Sequence, residues 1–73
     1  MHMSESVYSY KFWDNLEHIL SEQDVSWSEL ARRLDIQRTS LVHAKANHHL
    51  PRIERLLKIS EVLNVPLSEL LEL

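Results

Sequence analysis

Residues 26–47, SWSELARRLDIQRTSLVHAKAN, decide how the rest of this 73-residue chain is read. The stretch predicts two short helices joined by a tight turn. Ser26 is placed to cap the first of them, and Glu29, three residues on, to reach back and close a capping box. Val25 before the cap and Leu30 at the fourth helical position form a hydrophobic staple. Leu30, Ala31 and Leu34 then make one apolar stripe at helical spacing, with Arg32 and Arg33 on the wet side. The pattern breaks at Asp35-Ile36-Gln37. It resumes with Leu41 and Ala44 inward, while Arg38, Thr39, Val42, His43 and Ala46 face outward. Ala31 is small where the two helices must approach closely. Asp35 holds the turn, and Asp enters the left-handed conformation more readily than most non-glycine residues.

Outward from this pair, the same periodicity predicts three more helices. A first helix runs from about Ser9 to Gln23, with Phe12, Leu16, Ile19 and Leu20 at core spacing and Trp13 flanking them. Residues 1–7 have no periodic pattern and are expected to be a flexible tail on a domain spanning 8–73. Tyr8, Tyr10 and Trp13 make the amino end of that domain aromatic, either as cover for the core or as a subunit contact. Asn47 ends the third helix in the left-handed place usual for glycine, and residues 47–51, NHHLP, form a loop. Pro51 suits the first turn of a fourth helix reaching about Leu63. Its apolar face is broad: Ile53, Leu56, Leu57, Ile59, Val62 and Leu63, beside a charged stripe of Arg52, Arg55 and Lys58. Asn64 stops it, and Pro66 starts a fifth helix with Glu69 in its first turn, where the helix dipole favours an acid. The expected fold is therefore all-α, one compact five-helix domain. A chain with no glycine and only two prolines disfavours a turn-rich β architecture.

Composition removes several function classes. With no cysteine there is neither a disulfide framework nor a thiolate metal site. His43, His48 and His49 do not make a metal set by spacing: adjacent side chains diverge, and 43 to 48 is not one helical turn. No glycine loop for phosphates and no serine beside a discernible base is present, so no enzyme, metal, cofactor or small-molecule substrate is expected. No apolar run approaches the roughly 20 residues needed to span a bilayer, and no secretory signal precedes the domain, so a cytoplasmic location without membrane contact is the expectation.

The net charge of −3 is unevenly distributed. Between residues 32 and 58 lie Arg32, Arg33, Arg38, Lys45, Arg52, Arg55 and Lys58 against only Asp35 and Glu54, a local net of +5. The other residues carry Lys11 against nine acids, a net of −8. Such a chain attracts phosphate on one side and stays soluble on the other. The basic window coincides with the two-helix stretch. Two helices, a short turn and a polar outward face on the second are the sequence form of a helix-turn-helix.

Ser-Trp-Ser-Glu-Leu-Ala at 26–31, Leu34, Ile36, Leu41 and then LNVPLSELL at 63–71 resemble the lambda-repressor/Cro-like (XRE-type) DNA-binding domain, over about Phe12 to Leu71. Four positions depart from that family's pattern. Trp27 stands where a glutamine often touches a DNA phosphate, Asp35 where glycine is usual, Ala44 where a larger apolar residue is usual, and Lys45 where glutamate is common. The resemblance implies a sequence-specific double-stranded DNA-binding transcriptional regulator, a repressor of bacterial, phage or mobile-element type, whose third helix enters the major groove. On that basis Arg38, Thr39, Val42 and His43 are the expected base readers. Trp27, Gln37, Ser40, Lys45, His48, His49 and Arg52 are the expected phosphate ligands. Leu67, Leu70, Leu71 and Leu73 are many leucines for a terminal helix, and are candidates for a homodimer contact. Two alternatives stand beside this reading: a protein-interaction module that kept the fold and lost DNA, and an antitoxin that regulates its own operon.

Overall fold

A computed structural model describes residues 3–73. Among them are five helices: α1 (Met3–Gln23), α2 (Trp27–Leu34), α3 (Arg38–Ala46), α4 (Ile53–Leu63) and α5 (Leu67–Leu70). The fold is all-α, as the periodicity requires. α1 begins at Met3, earlier than the apolar pattern from Ser9 predicts. No proline or glycine interrupts that stretch, so the backbone ladder continues past the apolar stripe. Residues 1 and 2 of the expected tail lie outside the described residues.

Helix endings are the structural theme of this glycine-free chain. After α1, α2, α3 and α4 a residue turns into the left-handed region: Asp24, Asp35, His48 and Asn64, with φ between 51° and 59°. At each one the two hydrogen bonds of a Schellman motif close the helix, for example Asp35 N–H to Arg32 O (3.1 Å) and Ile36 N–H to Ala31 O (3.0 Å). Asp and Asn tolerate this conformation better than most side chains. The third ending departs from expectation. Asn47 sits near φ −92° and His48 takes the left-handed place, so α3 closes one residue later than the sequence pattern predicts. The residue after the left-handed one is apolar and packs on the core at three endings, Val25, Ile36 and Val65; after α3 it is His49.

α2 packs on α3 and α4, α1 on α5, and α4 on α5. The shared core contains Phe12, Trp13, Leu16, Ile19 and Leu20 from α1, Leu30, Ala31 and Leu34 from α2, and Leu41 from α3. Leu56, Ile59 and Leu63 from α4 and Leu70 from α5 complete it. Trp13 is thus a core residue, not a flanking one. Side-chain amides fasten α1 to the later helices: Asn15 Nδ2, in its middle, donates to Leu70 O and Glu72 O (both 2.9 Å), and Gln23 Nε2, at its end, to Leu63 O (2.9 Å).

Two expectations for α4 are corrected. Its amino end is Ile53 with Arg52 as N-cap, so Pro51 precedes the helix instead of opening it. Ile53 and Leu57 are not core residues; they are 54% and 53% exposed. The buried stripe is narrower than the apolar pattern because α2 and α5 cover only the side carrying Leu56, Ile59 and Leu63.

Candidate nucleic-acid interface

The candidate interface comprises the amino end of α2, the outward face of α3, the α3–α4 loop and the amino end of α4. Ser26 caps α2 as expected, its Oγ accepting from Glu29 N–H at 3.0 Å. The reciprocal half of the capping box is absent. The Glu29 carboxylate turns instead to the Arg32 Nε (3.0 Å) and the Arg33 Nε (2.9 Å), one helical turn on. Charge-assisted bonds to two guanidiniums are better partners for a carboxylate than one backbone N–H. Hydrogen bonds from Arg32 and then Arg33 hold the Glu29 carboxyl well below the usual glutamate range, at about 2. The same pairing raises the Arg32 guanidinium above its ordinary value.

The sign of the consequence follows from linkage. A carboxyl depressed in the folded state stabilises the fold fully above its unfolded-state value, and loses that contribution as pH falls toward about 2. The side chain is on the surface, so the expected global effect is small. The expected local result is a Glu29 carboxyl carbon that titrates well below the usual glutamate range, followed by NMR. A midpoint in the ordinary glutamate range would show that the Arg32 and Arg33 contacts do not persist in solution.

These contacts redistribute the basic window. Arg32 and Arg33 are engaged by Glu29, and Lys58 by Glu61 at 3.7 Å. Among the described residues, Arg38, Arg52 and Arg55 have no ion-pair partner, and the Lys45 ammonium lies 5.7 Å over the Trp27 ring. Within the window the unpaired cations therefore cluster on α3, the loop after it and the start of α4. They are a smaller set than the sequence pattern implies.

On α3, Leu41 is buried and Ala44 half-buried, which turns Arg38, Thr39, Val42 and His43 outward together. Arg38 and Val42, like Thr39 and His43, are one turn apart and make two adjacent rows. Val42 is 39% exposed, an apolar contact on an otherwise polar face. Gln37 is the N-cap but makes no side-chain cap bond, so its amide is not occupied there. Ser40 and His43 border a shallow groove that continues to Asn47 and His49.

Of the expected phosphate ligands, Gln37, Ser40, His48, His49 and Arg52 are exposed. Trp27 is half-buried against the core, its ring 6.3 Å from that of Trp13. His48 stacks on Tyr10 with ring centroids 4.0 Å apart, and the His49 carbonyl accepts from Trp13 Nε1 at 3.2 Å. A pocket of about 360 Å³ lies beside this loop, with Trp13 and Leu41 in its wall and Arg52 and Arg55 at its lining. In the sequence Arg55 stands out only as part of a charged stripe. Its spacing of three from Arg52 is the signal that both share one face.

The four leucines of the expected dimer contact separate. Leu70 is 0% exposed and belongs to the core, because α5 is so short that one side chain must anchor it; it is removed from any surface contact. Leu67 and Leu71 are half-buried, and Leu73 is 63% exposed. Among the described residues no group of three or more His, Asp or Glu side chains is arranged to hold a metal ion. No described helix is long and apolar enough to cross a membrane.

No curated protein and no solved structure matches the chain significantly. A family model described as helix-turn-helix matches residues 17–70, about three quarters of the chain, and covers α2 and α3 with their outward polar face. The chain belongs to the Cro/C1-type (XRE-like) helix-turn-helix family, whose members are small all-α DNA-binding regulatory domains.

Proposed function

We propose that this protein is a sequence-specific transcriptional repressor that acts by occupying its operator, with α3 lying in the major groove. The observation that carries the reading is Arg38. It opens the outward face of α3, is exposed, and has no carboxylate partner among the described residues, unlike Arg32 and Arg33 on the preceding helix. A free guanidinium at that place matches guanine O6 and N7 with two parallel hydrogen bonds. Thr39 and Val42 offer methyl groups to thymine, and Thr39 and His43 offer hydrogen bonds to base edges. Gln37, Ser40, Lys45, His48, His49 and Arg52 meet the phosphates on either side and hold the register. In this reading the protein is not an enzyme, needs no cofactor and works in the cytoplasm.

A homodimer completes the reading. Leu73, with the half-buried Leu67 and Leu71, supplies apolar surface at the carboxyl end. Two-fold helix-turn-helix dimers read half-sites about one helical turn apart, so the operator is expected to be nearly palindromic. Selection of bound duplexes from a random pool at moderate salt tests both statements. Two related half-sites in the enriched motif are the expected result. A folded protein that enriches nothing would defeat the reading.

One observation favours a second reading, an interaction module. Ile53 and Leu57 form an exposed apolar pair on α4 that the fold leaves uncovered. Salt separates the two: DNA binding weakens steeply as salt rises, whereas an apolar protein contact changes little.

A further inference from the structure

Lys45, His48 and His49 share something that the other proposed phosphate ligands lack, which is an aromatic ring behind them. The Lys45 ammonium lies 5.7 Å from the centre of the Trp27 ring. The His48 ring stacks on Tyr10 at 4.0 Å, tilted by 32°. The His49 carbonyl accepts from Trp13 Nε1 at 3.2 Å. Tyr10 and Trp13 are three apart on α1 and so lie on one face, and Trp13 reaches Trp27 at 6.3 Å between centroids. The three aromatic side chains thus back the α3–α4 loop and the last turn of α3 from two different helices.

Local geometry explains why the loop needs this support. The endings of α1, α2 and α4 are each followed by an apolar residue packed on the core, Val25, Ile36 and Val65. After α3 that place is taken by His49, which is exposed, and the left-handed residue before it is a histidine in place of Asp or Asn. The apolar residue that follows the other three turns is therefore missing here, and the loop's first apolar contact with the core comes one residue later, at Leu50. Tyr10, although 54% exposed, stacks on His48, and Trp13 gives its one side-chain donor to His49. Tyr10 and Trp13 also precede residues 17–70, the segment shared with the family.

We propose that Tyr10, Trp13 and Trp27 are positioning residues for DNA binding. They hold Lys45, His48 and His49 in the arrangement that meets the phosphate backbone, without touching DNA themselves. Lys45 keeps N–H donors for a phosphate while its ammonium rests on the ring, and ordering that long side chain in advance lowers the entropy lost on binding. Trp27 accordingly acts through Lys45 instead of contacting a phosphate itself. The inference rests on the DNA-binding reading of the same face.

The test is a salt series of duplex-DNA affinities by fluorescence anisotropy, using the selected duplex and a random-sequence duplex. Wild type is compared with Tyr10→Ala, Trp27→Leu, Trp27→Phe, Lys45→Gln and the pair Trp27→Leu with Lys45→Gln. Tyr10→Ala and Trp27→Leu are each expected to weaken both duplexes about 2- to 5-fold, the scale of one exposed aromatic-pair or cation–π contact. The slope of log affinity against log salt should become shallower by about 0.9 for each phosphate that is no longer neutralised. Trp27→Phe keeps a ring under Lys45 and should restore most of the affinity. In the Lys45→Gln background Trp27→Leu should add nothing.

Unchanged slopes in both single variants, or equal costs of Trp27→Leu with and without Lys45, would overturn the proposal. Tyr10 is exposed, so its variant decides the matter even where Trp27→Leu melts early. A wild-type protein that binds neither duplex at any salt overturns the DNA reading and this inference together. That outcome is distinct from a wild type that binds beside variants that do not differ.

Discussion

Phe12→Ala is expected to lower the unfolding free energy by about 3–5 kcal/mol, the usual cost of removing a buried Phe ring. Phe12 is fully buried and meets Trp13 edge-on at 4.9 Å, in a core shared by all five helices. A domain of this length holds roughly 4–11 kcal/mol in total. The variant should therefore lose from about a quarter to all of that stability, read as a large fall in the urea midpoint followed by circular dichroism. Leu57→Ala is the matched comparison. Leu57 belongs to the apolar pattern of α4 but is half exposed, so its truncation should cost only about 0.5 kcal/mol. If Leu57→Ala proved as costly as Phe12→Ala, the core would have to extend across α4 to Leu57.

Arg38→Ala is expected to cost about 1–3 kcal/mol of operator affinity and to relax the preference at one base-pair position of each half-site. Arg38 is exposed and has no ion-pair partner among the described residues, so its removal strands no buried group and leaves the fold intact. Any reduction in affinity belongs to binding. Arg52→Ala at the N-cap of α4 supplies the contrast: it should weaken every sequence alike and reduce the salt slope by about 1. Competition with single-base operator variants separates the two patterns. A uniform reduction after Arg38→Ala would reassign that guanidinium from base to phosphate.

How much of this is legible in the amino-acid order? The helix-turn-helix is largely so, apart from the Glu29 half of the capping box, because its determinants are local. Ser26 capping Glu29 N–H, the Leu30, Ala31 and Leu34 stripe and the left-handed Asp35 all depend on residues within one or two turns. The outward set of α3 follows from its buried partner Leu41 by helical periodicity alone. The α3–α4 junction is less legible. Whether Asn47 or His48 takes the left-handed position, and where α4 starts after Pro51, depend on small differences that neighbouring helices settle.

The amino-acid order by itself determined an all-α fold, the pairing of α2 with α3 across a short turn, and the location of positive charge, since periodicity, capping and charge are properties of short segments. Tertiary structure alone decided which apolar residues are core and which aromatic rings stand behind the α3–α4 loop. Ile53 and Leu57 stay exposed, Leu70 is buried, and Tyr10 and Trp13 back the loop more than 30 residues away. The physical reason is competition. A leucine or an aromatic ring can pack on several partners that the sequence leaves equally near, and only the packing of α2 and α5 on α4, and of α1 on α5, selects one.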